Sequence, residues 1–429
     1  MLFVTLLLAL PLSGCAQLLD EIPFLRRTPV VTPAVETETT ATAEPGMETT
    51  PVPPEEDLSQ ITFWLPPAFD PENGSPEGEL LRQQLQAFSA ANPDVTVNVR
   101  VKALSGSGGL LDSLTAASLA APAALPGILI LPRSDLETAA LNGLLMPFEI
   151  ENNPAFQSEH FSFAEDLVKV KDTGYGLPFA ADALCMAYKS LQVVYPPTLW
   201  QEVIQLNKVL AFPAAEPNGL MPLLLYLNKG GAFTQNEVQI TLDEDALQQT
   251  LMFLAEGANT DVFPYWLTDY TSYEESWQAV KDARAAYSII WASQYLSELP
   301  ENTSIRGVPS FGEEALTLAE GWVIAFPQTS PERFSLNQQL AAYLVDTEFQ
   351  AAWTESAGML PMSSQALASW KNVDVSGILL EIAESAILVP TTLIVNKAGP
   401  LFTQATIEML RKQTTYIESS NKIIKALAE

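Results

Sequence analysis

Few side chains in this sequence have the chemistry of a nucleophile or of a transition-metal ligand. The 429 residues include one histidine, His160, and two cysteines, Cys15 and Cys185. A histidine-based catalytic triad or a His-rich metal cluster therefore has almost nothing to be built from. His160, between a glutamate and a phenylalanine, is typical of a surface loop, and Cys185 in the apolar stretch DALCMAY is typical of a small core residue. The 51 acidic residues are too many for spacing alone to nominate an acid–base pair.

No stretch of the sequence has the pattern of a cofactor-binding loop. The glycines of SGSGGLLD (105–112) lack both the G-x-G-x-x-G spacing and the lysine of a phosphate-binding loop. We interpret this stretch as a flexible loop before a helix. The sequence therefore predicts neither a cofactor nor a metal.

Cys15 follows a short apolar run at the start of the chain. The run, residues 2–12, is too short to span a bilayer and ends in small residues, which is typical of an export signal with a cleavage site. The residues LSGC (12–15) resemble the lipobox of bacterial lipoproteins, although no lysine or arginine precedes the apolar run. The resemblance implies a lipoprotein signal peptide over 1–15 and lipidation of Cys15, which would anchor the chain to a membrane. The alternative is an ordinary signal peptide in which the cysteine has no such role.

The composition changes over residues 16–58. TPVVTPAVETETTATAEPGMETTPVPPEED consists mainly of Thr, Pro and Glu, and such a segment buries too little apolar surface to offset its ordering entropy. We predict a disordered tether, which prolines and like charges keep extended. No later apolar stretch approaches the length of a membrane span, so residues 59–429 should fold outside the cytoplasm, at the cell surface or in the periplasm.

The net charge limits the class of partner. A formal charge of −30 argues against nucleic acid and against adhesion to anionic membranes, because both would repel the chain. The charge says little about a neutral ligand, and it is also explained by solubility alone. Residues 59–429 are too many for one typical core and suit two lobes.

The order of predicted elements indicates an α/β fold with two sheets. QITFWL (60–65) predicts a buried strand, Ser75-Pro76 opens a helix, and VTVNVRV (95–101) alternates as a strand does. Strand, helix and strand at this spacing form a βαβ unit with parallel pairing. GYGLPFAADALCMAYKS (174–190) predicts two extended segments without a helix between them.

Several segments also have a familiar order: FSAANPDVTVNV, LPGILILPRSDLETAALNGLLMPFE, GYGLPFAADALCMAYKS, PPTLWQEV and WTESAGMLPM. In this order they resemble bacterial extracellular solute-binding proteins of the maltose-binding type, the receptors of sugar-importing ABC transporters. The resemblance covers 59–429, although each motif is loose. Lys189 stands where the family usually has asparagine, and Trp200 lies one position late.

The resemblance implies a periplasmic-binding-protein-like (type II) fold, in which crossover strands join two α/β lobes and the ligand lies between them. The implied first lobe is 59–167 plus 323–365, and the second is 168–322 plus 366–429. Contacts from both lobes are complete only in the closed state, so a ligand favours closure. The implied protein is a monomeric receptor, not an enzyme, that delivers its solute to the permease subunits of an ABC importer.

Sugars present hydroxyl edges and apolar faces, so a sugar site needs carboxylates or amides together with aromatic rings. Candidates from their position in the chain flank the ends of predicted strands, where open α/β sheets bind ligands: Trp64, Asp70, Arg133, Ser134, Trp322 and, in the loop FPYWLTDY (263–270), Trp266. Two more candidates follow from the resemblance. Asp182 matches a carboxylate that binds sugar hydroxyls in the family, and Trp291 matches a stacking tryptophan.

Each candidate also has an ordinary structural explanation. Trp64 and Trp322 fit a core position equally well, and Arg133 fits an ion pair with one of the many carboxylates. Three alternatives to a sugar receptor stay open: the same fold with a polyamine, peptide or metal complex as ligand, a surface glycoside hydrolase or lyase, and an adhesion lipoprotein.

Overall fold

The computed structural model describes residues 58–149, 160–235 and 239–428. The predicted signal peptide, Cys15 and nearly all of the predicted tether lie outside these residues. Within them, no helix is both long enough and apolar enough to cross a membrane.

The strands are short except for two. They are β1 (Gln60–Leu65), β2 (Thr96–Val101), β3 (Ile128–Pro132), β4 (Lys169–Val170), β5 (Thr173–Gly174), β6 (Gly176–Lys189), β7 (Leu210–Ala211), β8 (Phe233–Gln235), β9 (Ile240–Leu242), β10 (Tyr287–Trp291), β11 (Thr303–Arg306), β12 (Thr317–Ala325) and β13 (Ala386–Leu388).

The helices alternate with these strands along most of the chain. They are α1 (Pro76–Ala91), α2 (Leu110–Ala120), α3 (Arg133–Leu141), α4 (Ser162–Val168), α5 (Trp200–Leu206), α6 (Leu220–Asn228), α7 (Glu244–Asn259), α8 (Tyr273–Lys281), α9 (Ala292–Glu298), α10 (Pro331–Leu344), α11 (Thr347–Ala357), α12 (Ser364–Ala368), α13 (Val373–Glu384), α14 (Thr392–Leu410) and α15 (Tyr416–Ala428).

The predicted βαβ unit at the start of the folded region is present. β1 pairs in parallel with β2 and with β3, and α1 connects the first two strands. α1 begins where the sequence predicts, because the Ser75 hydroxyl accepts the Gly78 N–H and Pro76 occupies the first turn. Leu81, Leu85 and Phe88 bury the inner face of this helix.

The two predicted sheets are present and share the long strand β6, so that together they form one connected set of nine strands. Its path runs β2-β1-β3-β12-β6-β10-β7, with β11 paired to β6 and β13 paired to β12. Residues 176–189 form a single strand of 14 residues, not two extended segments. Nearly all of β6 is buried, so its sequence lacks the alternation that would have marked one long strand.

β6 and β12 each run from one part of the sheet to another. The first half of β6, up to Ala183, pairs with β12, and its second half pairs with β10 and β11. β12 pairs with β13 at its start and with β3 at its end, with a change of register between Trp322 and Val323. The two strands therefore have the course that is expected of crossover strands.

The helices pack as two groups. α1 contacts α10 and α11, whereas α14 contacts α6, α7 and α15. The buried aromatic rings of Phe69, Phe179 and Trp353 meet beside the middle of the sheet. Cys185 is unpaired and buried within β6, which confirms the predicted core position.

Candidate functional site

A cavity of about 460 Å³ opens where β3 ends, next to β12. Its walls are the junction of β3 and α3 (132–137), residues 319–322 of β12, the segment 388–396 that leads into α14, and Asn218 with Leu220 at the start of α6. This volume is within the range of small-molecule sites, and the end of β3 is where open α/β sheets bind ligands.

Arg133 and Ser134 line this cavity, as their place after a strand predicts. The Arg133 guanidinium pairs with Glu137 Oε1 at 3.1 Å, and both side chains are largely buried. Glu137 Oε2 also accepts the N–H of Thr392 at 2.8 Å, which ties α3 to the start of α14. Arg133 therefore lines the cavity, as predicted, and also forms an ion pair, which was the alternative explanation for this residue. Its Nη1 is buried and has no hydrogen-bond partner in the described part of the chain.

Trp322 presents a half-buried indole to the cavity. Its other side packs edge-on against Phe69, with ring centroids 4.9 Å apart. Phe69 in turn contacts Phe179 and Trp353, so the core fixes the orientation of the indole. Trp322 thus offers a rigid apolar surface to whatever enters the cavity.

Glu320 also lines the cavity and was not predicted. It lies two residues before Trp322, so the two side chains share one face of β12. The residue is exposed to the cavity. Desolvation by the protein around the cavity, together with the charges of Asp182 and Glu216, raises the pKa of Glu320 to about 7. A charged residue within the otherwise apolar run TLAEGWVIA was the available sequence signal.

Asp182 lies inside β6 and is buried, which differs from the expected position between two extended segments. Its Oδ1 accepts the N–H groups of Ala183 at 2.8 Å and of Ser293 at 3.1 Å, and its Oδ2 accepts the Ser293 hydroxyl. Burial nevertheless raises the pKa of Asp182 to about 6. Asp182 is the cross-strand partner of Glu320 but does not itself line the cavity.

Trp291 ends β10, two residues before Ser293, whose N–H donates to Asp182. The half-buried indole meets the ring of Tyr273 edge-on, with centroids 5.8 Å apart. The Tyr273 hydroxyl is buried and has no hydrogen-bond partner within the described ranges. Burial and the nearby charges of Glu216 and Glu320 raise the pKa of this hydroxyl well above its usual value. Trp291 is therefore not among the residues that line the cavity.

Glu216 is a second carboxylate that the sequence did not nominate. Its oxygens accept the N–H groups of Asn218 at 2.8 Å and of Leu220 at 3.1 Å, at the start of α6. The Thr403 hydroxyl of α14 donates to its carbonyl at 2.7 Å. The loop before α6 is therefore held against α14, and this contact positions Asn218 in the cavity wall.

Replacing Gly399 by alanine should displace this loop. A Cβ at position 399 would collide with the carbonyl oxygen of Asn218, a backbone atom that cannot rotate away. We expect a loss of about 1–3 kcal/mol in the free energy of unfolding, measured by urea titration. Gly377→Ala in the exposed part of α13 is the matched control, since its Cβ meets open space and should stabilise by about 0.5–1 kcal/mol. Equal effects of the two substitutions would contradict the close contact.

Three further predicted residues, in addition to Asp182 and Trp291, do not line the cavity. Trp64 is buried in β1, with the Lys102 ammonium 4.3 Å from its ring centroid. Asp70 accepts the N–H of Glu72 at 2.9 Å. Trp266 lies beneath the Arg284 guanidinium, 4.4 Å from the ring centroid. The structure therefore brings Arg133, Ser134 and Trp322 together in the cavity lining. Asp182, opposite the lining residue Glu320, and Trp291, on the strand next to β6, lie outside the lining, as do these three.

Within the described ranges, no group of three or more His, Cys, Asp or Glu side chains is arranged to hold a metal ion. What the cavity offers is two lining amides, Asn218 and Asn396, one aromatic face and the carboxylate of Glu320. These groups bind a solute through hydrogen bonds and apolar contact.

The crossing of β6 and β12, with a cavity beside it, defines the two-lobe architecture of solute-binding proteins. The family described as bacterial extracellular solute-binding protein matches residues 83–375, which is more than half of the chain. The protein therefore belongs to this family, and the resemblance found in the sequence is confirmed. No curated protein matches the sequence significantly.

Solved structures confirm the two-lobe α/β fold. The maltose-binding periplasmic protein of Listeria monocytogenes, in complex with maltose, superposes with a TM-score of 0.69 at 15% identity, covering 87% of this chain and 97% of that one. The cyclic α-maltosyl-1,6-maltose binding protein of Arthrobacter globiformis gives 0.68 at 14% identity, with coverages of 86% and 97%. The sugar-binding protein MalE of Xanthomonas citri gives 0.67 at 16% identity, also with 86% and 97%.

Proposed function

We propose that this protein is the receptor of an ABC importer, and that it captures a carbohydrate in the cavity beside β12. The observation that carries the proposal is the pairing of Trp322 with Glu320 on one face of that strand. An indole face packs against the apolar side of a sugar ring, and a carboxylate accepts its hydroxyl groups. Maltose and a cyclic maltose derivative are the sugars named for two structural neighbours, which supports a carbohydrate, and the class that we propose is an oligosaccharide.

The walls of the cavity come from both proposed lobes. Arg133 belongs to the lobe 59–167 plus 323–365, whereas Asn218 and Asn396 belong to the lobe 168–322 plus 366–429. A solute that contacts both walls stabilises the closed state more than the open state, and so shifts the equilibrium toward closure. The permease would recognise that closed form and accept the solute from it.

A glycoside-active enzyme is less well supported by this geometry. Such an enzyme needs two carboxyl groups on either side of the bond that it cleaves. Asp182 and Glu320 are neighbours across two strands, but only Glu320 lines the cavity. Asp182 is occupied by Ser293 and Ala183, so this pair does not flank a bound solute.

The test is a thermal-shift screen of the full-length protein against maltose, maltotriose, cellobiose, trehalose, amino acids and putrescine, followed by calorimetry. A ligand of the folded state raises the unfolding midpoint in proportion to the logarithm of its concentration over Kd. We expect at least one sugar to bind without being consumed. Turnover of a glycoside would favour an enzyme, and a response to amino acids alone would remove the carbohydrate from the proposal.

We further propose that Cys15 is lipidated, that cleavage within the signal region 1–15 occurs directly before Cys15 and leaves this cysteine as the first residue, and that 16–58 tether a monomeric receptor to the membrane. Cys15→Ser should therefore move the protein from the membrane fraction to the soluble extracytoplasmic fraction, because the thiol is the attachment point of the lipid. Fractionation followed by immunoblotting measures this. Ser13→Ala, which leaves the thiol in place, is the control, and an unchanged membrane fraction for Cys15→Ser would contradict the anchor.

A further inference from the structure

Glu320 faces Asp182 directly across two antiparallel strands. Side chains at such positions lie on the same face of the sheet, about 5 Å apart at Cβ, and like charges there are destabilising. Asp182 is fully occupied by hydrogen bonds from Ser293 and Ala183. Glu320, in contrast, has neither a hydrogen bond nor an ion pair in the described part of the chain, and it faces the cavity.

Glu216 and Tyr273 lie near Glu320, and neither has an ion pair in the described part of the chain. Glu216 is satisfied by backbone N–H groups, and its charge reaches both Glu320 and Tyr273. The Tyr273 hydroxyl is buried next to these carboxylates without a partner of its own. Tyr273 does not line the cavity, but its hydroxyl is a buried polar group near Glu216 and Glu320 to which the described part of the chain offers no partner.

The charges that line the cavity are also unbalanced. Arg133 is the one basic residue among the described residues of the lining; its Nη2 pairs with Glu137 Oε1 at 3.1 Å, whereas its Nη1 has no partner there. Asp135 and Glu320 then remain without a positive counterpart in the wall. Beside Glu320, the half-buried indole of Trp322 offers a face that attracts cations as well as apolar rings.

We propose that the solute carries a positively charged amino group, and that this group binds between Glu320 and the face of Trp322. The inference rests on the proposed receptor function and specifies its solute. An ammonium group donates up to three hydrogen bonds and has a full positive charge, so it satisfies Glu320 and relieves the repulsion with Asp182 and Glu216. A neutral sugar hydroxyl satisfies Glu320 but leaves the repulsion in place. The same chemistry is found in an amino sugar and in a linear polyamine.

The test uses matched solutes and the full-length protein at pH 7. Glucosamine, galactosamine and chitosan disaccharide are each compared with the N-acetylated and the hydroxyl counterpart, and putrescine and spermidine form a separate arm. We expect at least one amino sugar to bind ten-fold or more tightly than both neutral counterparts, by calorimetry. Glu320→Gln should reduce that ratio to near one. Glu384→Gln, which removes an exposed carboxylate outside the lining, controls for net charge.

The outcomes separate this inference from the receptor function. If the neutral counterparts bind as tightly as the amines, the inference is wrong and the carbohydrate receptor stands. If only putrescine or spermidine binds and Glu320→Gln abolishes it, the ammonium site stands and the carbohydrate does not. An amine preference that survives in Glu320→Gln overturns the assigned site, and a panel without any binding counts against both proposals.

Discussion

Replacing Asp182 by alanine is expected to lower the free energy of unfolding by about 2–4 kcal/mol. The substitution removes the acceptor of two backbone N–H groups and of the Ser293 hydroxyl, all in a region closed to water. Each unsatisfied donor costs more than the hydrogen bond contributed, and this loss exceeds the relief from removing a buried charge. Urea unfolding at pH 7 measures the effect.

Asp182→Asn is the matched variant and should behave differently. Its Oδ1 can accept the same two N–H groups, and its amide can donate to the Ser293 hydroxyl oxygen. Asparagine has the shape of aspartate but no titratable charge, so this variant also shows which effects of Asp182 depend on its charge. A loss of stability as large as that of Asp182→Ala would contradict the hydrogen-bond explanation.

The sign of the pH dependence follows from the raised pKa of Asp182, about 6 against an ordinary 3.8. Between these values the native state binds more protons than the unfolded state, so the contribution of this group falls as pH rises and is constant above about pH 7. The wild type should therefore lose about 1–1.5 kcal/mol in the free energy of unfolding between pH 5 and pH 8 that Asp182→Asn does not lose. A difference that does not change between these two pH values would contradict the burial of a titrating carboxyl group.

Trp322→Ala should weaken binding of the solute by about 30- to 100-fold, which corresponds to about 2–3 kcal/mol for a buried tryptophan contact. The indole is held edge-on by Phe69, so its orientation is fixed before the solute arrives and little entropy is lost on binding. Calorimetry at a temperature well below the unfolding midpoint of both proteins ensures that a loss of stability is not counted as a loss of affinity.

Two further variants show whether the affinity depends on the cavity or on any exposed aromatic ring. Trp322→Phe keeps an aromatic face in the cavity and should retain part of the affinity. Trp266→Ala removes a tryptophan that stacks on Arg284 outside the cavity lining, and it should leave the affinity unchanged. If Trp266→Ala weakens binding and Trp322→Ala does not, the solute binds elsewhere.

Local patterns were enough to predict the first βαβ unit and the position of Arg133 and Ser134. The cap at Ser75 and the alternation in β2 depend on residues that are close in the chain. The end of β3 is likewise marked by an apolar run that stops at Pro132. These features need no knowledge of distant contacts.

Glu320 and Glu216 could not be predicted in the same way. The site that they form depends on the register of β12 against β6, which places Glu320 opposite Asp182 although they are far apart in the chain. A shift of that register by one residue would turn Glu320 to the other face of the sheet. The single long β6 was missed for a related reason, since burial on both faces removes the alternation that marks a strand.

The central claim, that the solute binds in the cavity beside β12, is tested most directly by hydrogen-exchange mass spectrometry with the solute that the screen identifies. Amides that solute contact or lobe closure protects should exchange more slowly. We predict protection in 132–137, 218–220, 319–322 and 388–396, the segments that line the cavity, and little change in 263–270. Protection that is absent from all four cavity segments, with slower exchange elsewhere, would contradict the account.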